Sequence, residues 1–214
     1  MGGIYLTITT RAPWYFPAWT VLAYLALAGG VETAFAALQS RPRARVAFAG
    51  GVAVLLALQL WLFVAVTVQL RAQQQLIEWG VRAPIGRSLQ LSARSPAETV
   101  FLEPLGYIGF YSGLSMRDTP GLCAPEVVAL RRQGVVSMPA LVTALKTDWV
   151  VLRANEYADF NPGEKSAFDR DYHLVKVYDV RPQIDAIAWL PGREFLIYDA
   201  HFGVWRRRTP KGAP

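Results

Sequence analysis

Cysteine and histidine are scarce in this 214-residue chain. Cys123 is the only cysteine, which excludes an intrachain disulfide. The two histidines, His173 and His201, are far apart and have no cysteine partners, so the sequence offers no metal-ligand spacing. We therefore expect neither a metal site nor any other cofactor.

Charge is also scarce in the first third of the chain. No charged residue occurs in the 20 residues from Ala12 to Val31 or in the 25 residues from Val46 to Leu70. An apolar run of about 20 residues crosses the hydrocarbon core as a helix, because a helix bonds its own backbone polar groups. Residues 1–70 are therefore predicted to form a membrane hairpin, with spans at about 17–38 and 46–70.

The short loop between the predicted spans determines the expected orientation. Residues 39–45 contain three arginines and no acidic residue, which places this loop in the cytoplasm. Residues 71–214 then lie on the outer side of the membrane. Aromatic residues at 14–16 are typical of a headgroup interface. Glu32, near the far end of the first span, is expected to contact water, with a buried functional carboxylate as the alternative.

Within residues 71–214, clustered positive charge, which a nucleic-acid interface needs, is found only at the C-terminus. The formal net charge of +6 is otherwise spread among mixed signs. Residues 206–214 are therefore predicted to be a basic tail that is disordered or contacts lipid headgroups. No nucleic-acid partner is expected.

Residues 71–205 are predicted to be an α/β domain. Helices are expected over 76–91, 105–112, 125–133 and 139–146, and strands over 99–103, 149–152, 172–180, 195–198 and 203–206. Residues 195–198 and 203–206 are expected to pair with 172–180 as a terminal hairpin, and residues 117–121 to form a turn. Alternation of strands and helices indicates a mostly parallel or mixed sheet, in which ligands lie beyond the carboxyl ends of strands.

Four residues of this domain are candidates for substrate binding. Glu103 follows a predicted strand and could bind a sugar hydroxyl or an acceptor, or simply cap the next turn. Asp118 could do the same, or form the turn that Thr-Pro-Gly predicts. Tyr107 and Tyr111, four residues apart on a predicted helix, could stack on sugar rings or pack in a core.

Two segments of this region carry a resemblance to a known family. Residues 103–113 read EPLGYIGFYSG, and residues 117–128 read RDTPGLCAPEVV. They resemble the C-terminal extracytoplasmic region of bacterial GT-C glycosyltransferases related to protein mannosyltransferases and aminoarabinose transferases. The segments VRAPIG at 81–86 and PWYFP at 13–17 are also similar to parts of these enzymes.

The resemblance implies sugar transfer from a polyprenyl-phosphate donor on the outer side of the bacterial inner membrane. The family's catalytic acid lies just after the first of many spans, and this chain has no acidic residue before its first predicted span. No catalytic residue is therefore assigned. The resemblance implies that the chain is the C-terminal part of a larger enzyme, a split subunit or a truncated gene product. Expected partners are membrane lipid and either the lipid-linked sugar or a catalytic partner subunit.

An alternative function does not involve catalysis. The chain could be a membrane-anchored, non-enzymatic module that binds a partner protein or an envelope glycan. The absence of a recognisable catalytic constellation in the sequence favours this alternative, and an enzyme that uses Glu103 as its base is a third hypothesis.

Overall fold

A computed structural model describes residues 17–208 of the chain. The aromatic residues at 14–16 and the end of the predicted basic tail, residues 209–214, lie outside the described residues. The chain divides into two compact units, Met1–Phe63 and Val64–Pro214.

The described part of the first unit, residues 17–63, is mainly helical. Helix α1 comprises Pro17–Ala37, and helix α2 begins at Pro42 and continues to Ala72 in the second unit. Proline suits the first turn of a helix, where its missing N–H has no acceptor to satisfy. Within this unit Phe35 packs edge-on against Phe48, with 5.2 Å between ring centroids.

Among the described residues, one helix is long and apolar enough to cross a membrane. It runs from Pro42 to Ser92 and contains a window of mean hydropathy 2.4 that is only 6% buried. Val21–Ala37 forms a shorter apolar helix.

The long helix changes its geometry where it joins the domain. Gln73–Arg82 is a π-helical segment, and α3 follows over Ala83–Ser92. A proline inside an α-helix clashes with the carbonyl group four residues earlier. In this helix the wider π turns of Gln73–Arg82 end two residues before Pro84. The helix predicted over 76–91 is therefore confirmed, but its first turns are π-helical.

The second unit contains a mixed five-stranded sheet, which confirms the predicted α/β class. The strands are β1 (Thr99–Leu102), β2 (Ser115–Asp118), β3 (Trp149–Arg153), β4 (Tyr172–Asp179) and β5 (His201–Arg207). The helices are α4 (Leu105–Ser112), α5 (Pro125–Arg132), α6 (Met138–Leu145), α7 (Ala154–Ala158), α8 (Pro162–Asp171), α9 (Arg181–Asp185) and α10 (Glu194–Tyr198).

The strand order β2-β1-β3-β5-β4 gives the sheet two chemically different ends. β1 pairs in parallel with β2 and β3, whereas β5 is antiparallel to both β3 and β4. Strands β1 to β4 therefore all point the same way. We call the end of the sheet at which β1 to β4 finish and β5 begins its carboxyl end. The other end, at which β1 to β4 begin and β5 finishes, is its amino end.

Alternating side chains of the strands fill a core on each face of the sheet. On one face, Val100 and Val151 pack with Ile85 of α3 and Ile108 of α4. The other face carries Phe101, Val150 and Leu152, which pack with side chains of α5, α6 and α8, namely Val127, Leu141 and Phe168. Helices thus cover both faces, and the ends of the sheet remain for polar groups.

Three features of the sheet differ from the sequence prediction. Strand β2 was not predicted, because Arg117 and Asp118 were assigned to a turn that begins only after them. Residues 195–198 form helix α10 instead of a strand, and its Leu196 is buried with Ile184 and Leu190. The antiparallel terminal pair does form, but between β4 and residues 201–207, so β5 extends into the stretch assigned to the tail.

Candidate functional site

An ionic cluster of six charged side chains lies at the carboxyl end of the sheet. Its members are Glu78, Arg82, Glu103, Arg153, Glu156 and Asp199. Glu103 directly follows β1 and Arg153 ends β3. Because these two strands are parallel neighbours, their last side chains meet at one edge. This is the position that the sequence predicted for Glu103.

Arg153 is the centre of the cluster, and its side chain is only 5% exposed. Its Nη2 donates to Glu103, its Nη1 donates to Glu156 Oε1 at 2.6 Å, and its Nε donates to Asp199 Oδ1 at 2.6 Å. The guanidinium also lies 4.7 Å from the centre of the Tyr198 ring. Such forked, charge-assisted bonds fix the geometry of all three carboxylates.

The cluster also ties the π-helical segment to the sheet. Asp199 Oδ2 accepts from Arg82 Nη2 at 2.8 Å, and Arg82 Nη1 donates to Glu78 Oε1 at 2.6 Å. Glu78 Oε2 and Arg82 Nε are buried and have no hydrogen-bond partner among residues 17–208. The cluster therefore retains hydrogen-bonding capacity beyond its internal pairs.

Burial and ion pairing have opposing effects on the charges of this cluster. Burial disfavours the cation of Arg153, but the carboxylates of Asp199 and Glu156 outweigh it and raise the pKa of Arg153. Burial raises the pKa of Glu156, although Arg153 acts in the opposite direction. Arg153 therefore stays charged and counters the surplus of negative charge around it.

Glu103 is the member of the cluster that solvent reaches most easily. Its side chain is 40% exposed, while one carboxylate oxygen is held by Arg153. The exposed part of the carboxylate can accept a hydrogen bond from a hydroxyl group outside the domain. No group of three or more His, Cys, Asp or Glu residues suited to a metal ion occurs in the described part of the chain.

An aromatic cluster forms a second candidate site and contains both predicted tyrosines. Trp79, Tyr107, Phe110 and Tyr111 line a cleft of about 370 Å³. Trp79 lies 5.7 Å from Tyr107 and 5.9 Å from Tyr111 between ring centroids. The Trp79 side chain is 45% exposed and that of Phe110 is 81% exposed. Arg87 lies 4.8 Å above the Tyr111 ring. Exposed rings beside a cation suit a ligand with apolar faces and polar edges.

Close packing of α3 against α4 positions these rings. A Cβ on Gly86 would lie 2.8 Å from the Ile108 carbonyl oxygen and from Tyr111 Cβ, so only glycine permits this approach. Gln74, in the π-helical segment, donates a hydrogen bond to the Tyr107 hydroxyl at 2.8 Å and so fixes the position of that ring. The sequence identified Tyr107 and Tyr111 but not Trp79, whose contribution arises from this packing.

Asp118 lies apart from both clusters, at the last position of β2, and its side chain bonds the turn that follows. It is 1% exposed and accepts from the Leu122 N–H at 2.6 Å and from the Cys123 N–H and thiol at 2.9 Å. Burial alone would raise the pKa of Asp118, but the bonds from Cys123 and Leu122 outweigh it and lower that pKa. Burial and Asp118 together raise the pKa of the Cys123 thiol. The geometry corresponds to the turn-forming alternative for Asp118.

The comparison with known proteins identifies one family. The family model described as a domain of unknown function (DUF8728) matches residues 68–198, which include five members of the ionic cluster and the whole aromatic cluster. No curated protein and no solved structure matches the chain. The matched residues make up more than half of the sequence, and the chain therefore belongs to the DUF8728 family.

Proposed function

We propose that this protein is the C-terminal membrane and extracytoplasmic portion of a glycosyltransferase-like membrane protein and does not catalyse sugar transfer alone. The observation that carries the proposal is an exposed apolar helix that continues into an α/β domain with glycosyltransferase-like segments at 103–113 and 117–128. The helix supplies the membrane anchor, and the domain supplies contacts outside the membrane.

The exposed surface of α2 supports anchoring in lipid. Six of its large apolar residues are each more than half exposed: Val54, Leu55, Leu56, Leu58, Leu60 and Trp61. Each apolar Å² left in water costs about 25 cal/mol, so these side chains favour a lipid environment. With α1 as a first span, α1 and α2 form the proposed membrane hairpin. Arg41, Arg43 and Arg45 support a cytoplasmic loop and an α/β domain in the periplasm or outside the cell.

The internal pairing of the ionic cluster supports an accessory role rather than independent catalysis. A general base must be free to reach the proton that it removes. Glu103 is instead bonded to a guanidinium that is itself held by two other carboxylates. This arrangement suits recognition of a sugar hydroxyl or positioning of a catalytic partner better than proton abstraction.

The exposed aromatic cluster favours a second candidate function, a non-enzymatic module that binds an envelope glycan. Aromatic faces pack against the apolar faces of sugar rings, and Trp79 and Phe110 are accessible to such a ligand. In this candidate the protein needs no catalytic partner.

Reporter fusions test the membrane assignment. We expect a reporter inserted in residues 40–45 to be active in the cytoplasm and one fused after Pro214 to be active outside it. A cytoplasmic signal from the C-terminal fusion contradicts the proposed orientation. Recovery of the chain in the soluble fraction contradicts membrane anchoring itself.

Affinity purification from gently solubilised membranes distinguishes the two functions. We expect the tagged chain to retain a glycosyltransferase subunit. The double variant Trp79→Ser with Phe110→Ser, which removes the two most exposed rings of the aromatic cluster, is the matched surface control. Recovery of bound glycan without such a subunit supports the glycan-binding module. Sugar transfer by the purified chain alone contradicts both functions.

A further inference from the structure

A large cleft lies at the amino end of the sheet, opposite the ionic cluster. It has a volume of about 880 Å³, within the usual range for small-molecule sites. Helices α6 and α8 form its walls, and the beginning of β4 and the end of β5 complete it.

The lining of this cleft is mainly apolar. Val142, Phe168 and Tyr172 belong to the core and are each no more than 5% exposed. Pro139, Ala140, Ala144 and Ala167 extend the apolar surface toward solvent. The Tyr172 hydroxyl donates to the Thr147 carbonyl, so this polar atom is already satisfied. The walls therefore suit an apolar chain.

Positive charge is concentrated around the same cleft. Four basic residues line it, Lys146, Arg170, Arg207 and Arg208, against two acidic residues, Glu164 and Asp171. Arg170 pairs with its neighbour Asp171 at 3.1 Å, and Glu164 caps α8 by accepting from the Asn161 N–H.

Three of these basic residues have no carboxylate partner within the described part of the chain: Lys146, Arg207 and Arg208. The side chains of Arg207 and Arg208 instead donate to the backbone carbonyls of Lys146 and Asp169. Each guanidinium carries five N–H donors, so both retain donors after these bonds. Arg207 and Arg208 are thus positioned by the backbone while their charges remain uncompensated.

We propose that this cleft binds an amphiphilic anion, an apolar chain that ends in a phosphate or carboxylate group. The chain would lie against the walls of α6 and α8, and the anionic group would be bound by Arg207, Arg208 and Lys146. Forked guanidinium groups match the oxygen geometry of both anions. The site differs from the ionic and aromatic clusters, so this inference does not depend on the proposed glycosyltransferase relationship.

Photolabelling of the full chain in phosphatidylcholine nanodiscs tests the proposal. The probe is a decyl phosphate with a diazirine in its alkyl chain, and decyl carboxylate and neutral decyl glucoside carry the same diazirine. We expect both anionic probes to label peptides covering residues 135–146 and 164–172. Equal labelling by the neutral probe contradicts a role for the cations, and full displacement by inorganic phosphate contradicts a role for the chain.

Two kinds of variant separate charge from shape. Lys146→Gln and the pair Arg207→Gln with Arg208→Gln should each reduce labelling by about tenfold, because charge-assisted hydrogen bonds are lost. Ala144→Trp should block labelling by filling the cleft while all charges remain. Arg132→Gln and Ala129→Trp are the matched controls on α5, and they should leave labelling unchanged.

Circular dichroism identifies any variant that fails to fold, and Lys146→Gln is informative even if the arginine pair is unstable. Labelling that persists in folded Lys146→Gln and Ala144→Trp proteins overturns the proposal. Labelling spread equally over α5 indicates nonspecific partitioning and also overturns it.

Discussion

The two ends of the sheet contain similar residue types in different electrostatic arrangements. At the carboxyl end, Arg82 and Arg153 are surrounded by carboxylates, and five of their six guanidinium nitrogen atoms form ion pairs. At the amino end, Arg207 and Arg208 donate to backbone carbonyls and make no ion pair with a described carboxylate.

This difference separates structural charge from charge available to a ligand. Removing one partner of a buried ion pair leaves an uncompensated charge, so the carboxyl end should be essential for stability. Removing an unpaired, exposed cation leaves nothing buried, so the amino end should tolerate substitution.

Arg153→Met should have the largest effect, a loss of about 3–5 kcal/mol in the free energy of unfolding of the α/β domain. The substitution leaves Glu103, Glu156 and Asp199 without their shared cation. Urea titration in detergent, followed by tryptophan fluorescence, measures the change. Arg170→Met, at a side chain 73% exposed, is the control and should change stability by less than about 0.5 kcal/mol. Equal losses in both variants would remove the contrast.

Asp118→Asn should have an intermediate effect, a loss of about 1–2 kcal/mol. The buried carboxylate accepts three hydrogen bonds through its two oxygens, and an amide provides only one oxygen acceptor. The same urea titration measures the loss, and thiol labelling of Cys123 should become faster as the turn loosens. Unchanged stability and labelling would show that the turn does not need this residue.

Asp179→Asn should have a smaller effect that depends on pH. Hydrogen bonds from Arg181 lower the pKa of Asp179 from 3.8 to about 2. Because the folded-state pKa is depressed, this residue stabilises the domain above about pH 4, and that contribution is lost as the pH falls toward 2. The pair is partly exposed, so we expect less than about 1 kcal/mol. Thermal melts between pH 2 and pH 6 should fall less steeply for the variant, and parallel curves would contradict the prediction.

Lys146→Gln should have the smallest effect on stability, within about 0.5 kcal/mol of the original protein. Its ammonium group has no carboxylate partner among the described residues, so no buried charge is left behind. Lysine and glutamine are both tolerated at this exposed position. A urea titration of Lys146→Gln, run in parallel with that of Arg153→Met, checks the expectation. A loss comparable to that of Arg153→Met would mean that the amino end is structural as well.

Runs of apolar and β-branched residues made most of the sheet predictable from the sequence. Trp149–Leu152 and Tyr172–Val180 combine apolar and β-branched residues, and β3 and β4 form there. Strand β2 was missed because Ser115–Asp118 is short, is polar at three of its four positions and leads directly into a turn signal. Residues 195–198 have strand-like composition, but β5 already lies between β3 and β4, and Leu196 instead packs beside Ile184.

The candidate site was only partly predictable, because its members are distant in sequence. Glu103 was identified by its position after a buried strand, and the same signal at Arg153, directly after Trp149–Leu152, would have identified its partner. Asp199 has no such signal, because it lies between α10 and β5. Its pairing with Arg82 and Arg153 depends on tertiary contacts that local patterns do not encode.

The place of β5 between β3 and β4 has a consequence for biosynthesis. β4 pairs only with β5 within the described sheet, and β5 is the last of the described strands to be synthesised. β4 therefore has no strand to pair with until residues 201–207 have been synthesised and released from the ribosome. Unpaired strand edges favour aggregation, so a chain that ends before His201 should aggregate more readily than one that includes β5.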